Sequence, residues 1–418
     1  MKMFLGTFVS LIIIFSASIV HAQWSEQTSP TTNALYSVSI VDGSVAWIGG
    51  DLGVVLRTTN GGETWTNVGG GAIGTNPVYN IFGIDGSTAV CTASTSTTYI
   101  YRTTDGGATW TQVYSKAGGF MDALWMFDSN NGFAYGDPVS GNWELYKTTD
   151  GGATWTAAPA LAQNGSEAGW NNSLFASGSR IWFGTNHSRI YYSTDMGDSW
   201  TPQTITQTNS YSVWFNDAST GLMGGESALN KTTDGGTSWT LLSTLPGSGI
   251  IGGITGVNNL WWAVRQTADI YYSSDNGANW MAQYTGPVSG VYYAMSKSRT
   301  DSLILAVRSD GGISAYHISS ATAVQEEFPP VLKFDLGQNY PNPFNPSTRI
   351  DFDVPETGQV KLTVYNVIGQ EAAELINNTI TAGQHEVTFN AFSLPSGAYF
   401  YKLQQGNSVM VKKMLLMK

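Results

Sequence analysis

The chain has 418 residues, 42% of them hydrophobic and 12% charged, with a net charge of −11 at pH 7. That acidity disfavours nucleic-acid backbones and anionic membrane surfaces, and no basic stripe with interleaved aromatics is present. Cys91 is the single cysteine, so no internal disulfide can form. A large domain has core enough without one.

In chain order, Met1–Ala22 comes first, with Lys2, the apolar run Leu11–Phe15 and the small-residue end Val20-His21-Ala22. This reads as a signal peptide, with the mature chain starting near Gln23. No later apolar run is long enough for a transmembrane helix. Trp24-Ser25-Glu26-Gln27 follows and looks like Trp65-Thr66-Asn67-Val68, with Trp24 lying 41 residues before Trp65.

One short phrase then recurs six times: a hydroxyl residue, one residue, Asp, one residue, Gly, two residues, Trp. The copies are Thr58-Asn60-Gly62-Trp65 (Asn for Asp), Thr103-Asp105-Gly107-Trp110, Thr148-Asp150-Gly152-Trp155, Ser193-Asp195-Gly197-Trp200, Thr232-Asp234-Gly236-Trp239 and Ser273-Asp275-Gly277-Trp280. The phrase reads as a tight turn between strands. Asp and Ser/Thr side chains bond nearby backbone, Gly supplies a positive φ, and Trp covers the turn with apolar surface. Asn60, Asp105, Asp150, Asp195, Asp234 and Asp275 are therefore expected to be structural.

Successive phrase tryptophans lie 45, 45, 45, 39 and 41 residues apart. Such periods, with several short strands in each, predict a β-propeller. First strands read at Ala34–Asp42, Val78–Asp85, Met121–Asp128 and Tyr211–Asp217. Second strands read at Val45–Gly50, Gly132–Gly136, Ile181–Thr185 and Leu222–Gly225. A seventh repeat, Val291–Ser298, Leu303–Arg308 and Ile313–Ser319, lacks the phrase and its Trp strand. The N-terminal strand at Trp24 is expected to supply it, which leaves no open edge. Trp125 and Trp214 occupy equivalent inner-strand positions and are expected in the inter-blade core. Cys91 is expected as a buried small residue.

Composition then shifts. All 15 tryptophans occur by Trp280, and Ser319–Pro330 reads as a linker. Beyond it, Ile350–Val354, Val360–Tyr365, Glu386–Phe389 and Ala398–Leu403 alternate with the period of strands. The expected organisation is all-β: a seven-bladed propeller over 23–318, a linker over 319–333 and a small Ig-like sandwich over 334–418.

The recurring phrase resembles the Asp-box, or BNR, repeat of sialidase-like propellers. In its double-glycine form, as in Arg102-Thr103-Thr104-Asp105-Gly106-Gly107-Ala108-Thr109-Trp110, it is similar to propellers related to photosystem II assembly factors, which act as binding scaffolds. The tail resembles the type A C-terminal sorting domain of the type IX secretion system. The residues carrying this are Gln338–Thr348 (Gln-Asn-Tyr-Pro-Asn-Pro-Phe-Asn-Pro-Ser-Thr), Val364–Glu371, Leu394–Tyr401 and Lys412-Lys413-Met414. That resemblance implies export through the outer membrane of a Gram-negative cell, removal of the tail by a sortase, and delivery to the cell surface or medium.

In a propeller, the loops joining second to third strands share one face with the inter-blade loops, and the phrase turns lie on the other. The candidate binding face thus collects Asp51, Asp137, His187, Glu226, Arg265, Asp269, Arg308 and Asp310, joined by Glu167 and Asp122. Blades three and four break the repeat, at Tyr135–Trp143 and Gly165–Asn172, and function concentrates where a repeat is broken. Asp137 and Glu167 are the catalytic candidates. Asp51, Trp143, Trp170, Glu226, Arg265 and Arg308 are the ligand-binding candidates, with Trp143 or Trp170 as a sugar-stacking surface.

A sialidase is disfavoured. Its three-arginine carboxylate clamp needs clustered guanidinium groups, and only Arg265 and Arg308 map to the candidate face. His187, His317 and His385 are scattered, so no metal site is expected, and no cofactor is implied. The favoured reading is a secreted, non-catalytic, monomeric binding propeller for a glycan or protein. The alternative is a glycoside hydrolase using a carboxylate pair.

Overall fold

The computed structural model describes residues 23–242, 245–318, 334–355, 357–381, 383–406 and 408–418. The expected signal peptide at Met1–Ala22 and linker at 319–333 lie outside the described residues. Two compact units divide between residues 321 and 322.

The first unit holds seven four-stranded antiparallel sheets. In blade one the strands Leu35–Ile40, Ala46–Gly50, Val55–Thr58 and Thr66–Asn67 lie side by side in chain order, and blades two to six repeat that plan. Each innermost strand packs against that of the next blade, and the seventh returns to the first, where Ile40 bridges Ser298. Blade seven takes Tyr292–Lys297, Leu303–Arg308 and Ile313–His317 from the end of the unit. Its fourth strand is Ser25–Gln27, with Ser25 opposite Ala315 and Gln27 opposite Ile313. Pairing one terminus with the other buries the last free edge of the ring.

The repeated turn has one hydrogen-bond plan. In blade two Thr103 Oγ1 donates to Asp105 Oδ1 at 2.8 Å and accepts from the Gly107 amide at 3.0 Å. Asp105 also accepts from the Thr109 amide at 2.9 Å and its hydroxyl at 2.6 Å. Gly107 has φ 87°, and a Cβ there would meet Val68 at 2.6 Å, so both backbone and packing require glycine. Trp110 is buried, and its Nε1 donates to Val68 O in the preceding blade at 2.8 Å. Asn60 copies the plan in blade one, with Nδ2 donating to Thr64 Oγ1 at 3.0 Å.

Second strands are apolar on both faces because each sheet lies between two others. One cluster joins Trp47 and Val55 of blade one to Ile81, Cys91 and Tyr101 of blade two. Cys91 is fully buried, and burial pushes its thiol up.

The second unit pairs a three-stranded sheet (Asp335–Leu336, Ser347–Val354, Gly383–Asn390) with a four-stranded one (Glu371–Ile380, Gly358–Asn366, Gly397–Gln405, Ser408–Leu416). Ile350 and Phe352 of one sheet meet Leu362, Val364, Tyr401 and Met414 of the other in one core, which makes the unit a sandwich. Its Asn-Tyr-Pro-Asn-Pro segment is pinned by Asn339, which is buried and donates from Nδ2 to Thr348 Oγ1 at 2.9 Å and Pro341 O at 3.0 Å. Tyr401 accepts from the Asn339 amide at 2.9 Å. No helix among the described residues is long and apolar enough to cross a membrane.

Candidate functional site

Several residues expected to meet a ligand are instead consumed by the fold. Arg265 is fully buried. Its guanidinium donates to the carbonyl oxygens of Pro246 at 2.8 Å, Gly249 at 2.6 Å, Ser227 at 2.9 Å and Leu245 at 3.0 Å. It clamps loops of blades five and six, and burial lowers its pKa. Arg308 is also buried and is held by Glu26 at 2.7 Å and Asp310 at 3.1 Å. Burial works against its charge, but Glu26 and Tyr292 outweigh that and push its pKa up.

The blade-three and blade-four candidates divide differently from the expectation. Glu167 is buried (1% exposed). It forms an ion pair with Arg189 and accepts from Tyr191 Oη at 2.8 Å. A carboxylate so enclosed has its charge matched within the fold and has no access to a substrate. Trp143 is likewise buried at 3% exposure, packed on Phe183 at 5.0 Å and Tyr191 at 5.8 Å. It offers no stacking surface. The neighbour of Asp137 is Asp122, not Glu167. Asp137 accepts from the Gly169 amide at 2.8 Å, and the Asp122 carboxyl lies against the same glycine, where a Cβ would meet Oδ2 at 2.2 Å. Burial, and then the charge of Asp137, push Asp122 well above the usual carboxylate range. Burial also raises Asp137, offset in part by the Gly169 hydrogen bond. Asp122 is buried and cannot reach a substrate, so the two do not form an accessible acid–base pair.

The remaining candidates lie with two groups of aromatic side chains, together the collar of the loop face. Trp170 Nε1 donates to Asn209 Oδ1 at 3.0 Å, and Asn209 Nδ2 donates to Glu226. The Trp170 ring packs on Tyr211, centroids 4.5 Å apart. On the other side an arc runs from Tyr293 to Tyr36 at 5.9 Å, to Tyr79 at 5.2 Å and to Phe120 at 5.0 Å. All six rings are half-buried. Asp51 lies near the arc: burial first, then the charge of Asp51, push Tyr36 up to about 12 and raise Tyr79. A β-bulge makes the arc. In blades one, two and seven the first strand slips register at one residue, Tyr36, Tyr79 and Tyr293 respectively. A bulge re-aims the extra side chain. Blade three carries Asp122 at the same slip and blade six Gly252.

Comparison with known proteins bears on both units. Residues 338–417 match the family model described as secretion system C-terminal sorting domain. Residues 21–126 match the one described as photosynthesis system II assembly factor YCF48. The chain is thus similar to YCF48 over part of its propeller and to secretion sorting domains over its tail. A solved structure of YCF48 bound to D1 peptide is 18% identical, with a TM-score of 0.59, covering 72% of this chain and 98% of that one. YCF48 from Cyanidioschyzon merolae is 18% identical, with a TM-score of 0.58, covering 71% and 99%. At that identity the likeness is one of fold. No curated protein matches the sequence.

In this propeller the loop-face residues fall into two groups, Trp170, Tyr211 and Glu226 in one, and Asp51 with Tyr36, Tyr79, Phe120 and Tyr293 in the other. Sequence reasoning named Asp51, Trp170 and Glu226 and missed the rest. The signal was present: Leu35-Tyr36, Val78-Tyr79 and Tyr292-Tyr293 stand at one repeat position. Strand alternation treats an aromatic there as one more wall residue, whereas the bulge turns it to the rim.

Proposed function

We propose that this protein is an exported, non-catalytic binding propeller that takes a glycan or protein ligand at its loop face. The observation that carries this reading is the aromatic collar, with Asp51 and Glu226 beside it: concave sites are lined mainly by aromatic and apolar groups with a few placed polar ones. The sorting tail indicates type IX secretion to the cell surface or outside. We place a signal peptide at 1–22, the propeller at 23–318, a linker at 319–333 and the sorting domain at 334–418. The tail engages the secretion machinery and a sortase in a Gram-negative cell, and the released propeller is monomeric. One similar structure is of YCF48 bound to D1 peptide, which supports including peptides among the ligands tested.

Glycan and peptide arrays probed with the full chain, run beside a panel of chromogenic glycosides, test the reading. The expected result is binding that Trp170→Ala and Tyr36→Ala each weaken, with no glycoside turnover. Turnover abolished by Asp137→Asn would replace the binding module with a glycosidase.

A further inference from the structure

The innermost strands of the seven blades enclose a cavity of about 1000 Å³. Its lining runs from Asp128, Asp217 and Asp301, on the face that carries the repeated turns, up to Asn80 and Asn172. None of the collar aromatics lines it. Asn172 closes the upper end. From blade four its Nδ2 donates to Tyr36 O at 3.0 Å and Tyr79 O at 3.3 Å, while its Oδ1 accepts from Asn80 Nδ2 at 2.6 Å. The cavity is thus a socket whose collar end is spanned by Asn172.

Four consecutive blades give this socket an aromatic wall. Phe82 lies 5.4 Å from Trp125, Trp125 lies 5.8 Å from Phe175, and Phe175 lies 4.8 Å from Trp214. Both tryptophans are half-buried and line the cavity, so they face the lumen as well as packing between blades. The charged residues of the lining are matched inside the protein. Lys297 pairs with Asp301 and lies 5.7 Å over Trp214. Arg299 donates to the carbonyl oxygens of Ile84 and Gly83 and lies 4.7 Å over Phe82. Asp128 and Asp217 each accept two amides of their own turns at 2.7 Å.

We infer that this socket binds a neutral oligosaccharide. A sugar ring presents an apolar C–H face that packs on an indole, and a rim of hydroxyls that uses the lone pairs and N–H groups left over on matched charges and amides. An anion is opposed by the net charge of −11. A cation finds the Phe82 and Trp214 faces already taken by Arg299 and Lys297. The volume is at the upper end for small-ligand sites and accommodates several sugar rings. This site shares no residue with the collar and does not depend on the reading of it.

The test is titration of the full chain against an array of neutral oligosaccharides, then calorimetry on the best binder with variants of each face. Binding is expected to fall at least tenfold in Trp214→Ala and to survive within threefold in Trp214→Phe. Ser296→Trp, which adds bulk at a half-buried lining position without removing core, is expected to abolish it, and keeps the test open if Trp214→Ala does not fold. Absence of binding to every neutral oligosaccharide overturns the inference, as does binding that Ser296→Trp leaves intact. Loss in Trp170→Ala alone assigns the glycan to the collar and also overturns it. Loss in Ser296→Trp alone leaves the socket standing and counts against the collar.

Discussion

Glu26 Oε2 accepts a hydrogen bond from Arg308 Nη1 at 2.7 Å, joining two residues 282 apart in the chain. The same carboxylate accepts from Ser314 Oγ at 2.5 Å and Tyr284 Oη at 2.9 Å, so it fastens the N-terminal strand to blade seven and to blade six. Arg308 is buried, and removing its partner leaves a charge with less compensation. Glu26→Ala is expected to lower stability by about 1–3 kcal/mol, read from urea denaturation, with Glu26→Gln losing less. Deleting the chain through Gln27 exposes the Ile313–His317 edge and is expected to cause concentration-dependent aggregation in light scattering.

Glu167 ties its loop to Arg189 and Tyr191 of blade four. Glu167→Ala strands Arg189 and the Tyr191 hydroxyl, and about 3 kcal/mol of destabilisation is expected. Trp143→Ala empties a packed aromatic site and should cost about 3–5 kcal/mol. Neither change is expected to alter ligand binding once temperature is lowered to keep the variant folded. A variant that stays stable but loses binding would return that residue to the site.

The ring was legible because its signals are local and repeated. The turn from Thr103 to Trp110 carries its own hydrogen-bond plan, so each copy announces a hairpin wherever it stands. Even the displaced Trp24 strand showed itself by lying one period ahead of Trp65. The site was less legible because its geometry is set by register. Nothing local distinguishes Arg265, which binds four carbonyls, from an arginine aimed at a ligand. In the sequence Glu167 and Asp122 both stand near inter-blade connections, yet only packing decides which of them meets Asp137. The bulge at Tyr36 and the crossing of the throat by Asn172 depend on partners in other blades, which a single strand does not reveal.

Gly152 tests the turn by backbone and packing together. Its φ is 81°, and a Cβ would lie 2.6 Å from Val90 Cγ1 in the neighbouring blade. Gly152→Ala therefore meets both left-handed backbone strain and a clash, and about 1–3 kcal/mol of lost stability is expected. Gly165 also has a positive φ, 68°, but open space around its Cβ position. Gly165→Ala should pay the backbone cost alone, about 1 kcal/mol. Equal losses in the two variants would remove packing from the account.

Two sets of carboxylates give stability opposite pH slopes. Hydrogen bonds from Thr109 to Asp105, Thr154 to Asp150, Ser199 to Asp195 and Ser238 to Asp234 lower these four from 3.8 to about 2. Their contribution is complete above 3.8 and is lost as pH falls through about 2. Three of them are exposed and Asp195 is half-buried, so each effect is screened and small. Asn60 does not titrate, and Asn60→Asp is expected to add one more acid-sensitive turn without changing stability at pH 7. Asp122 behaves in the opposite sense. Burial raises it, so the folded state favours the neutral acid; that contribution is complete below 3.8 and lost as pH rises through the folded value. Asp122→Asn keeps the shape and removes the ionisation. Its melting temperature relative to wild type is expected to rise as pH increases above about 4, whereas that of Asp150→Asn should rise from pH 5 down to pH 2. A flat difference for Asp122→Asn would mean that its carboxyl ionises freely in the folded protein, against its burial beside Gly169 and Asp137.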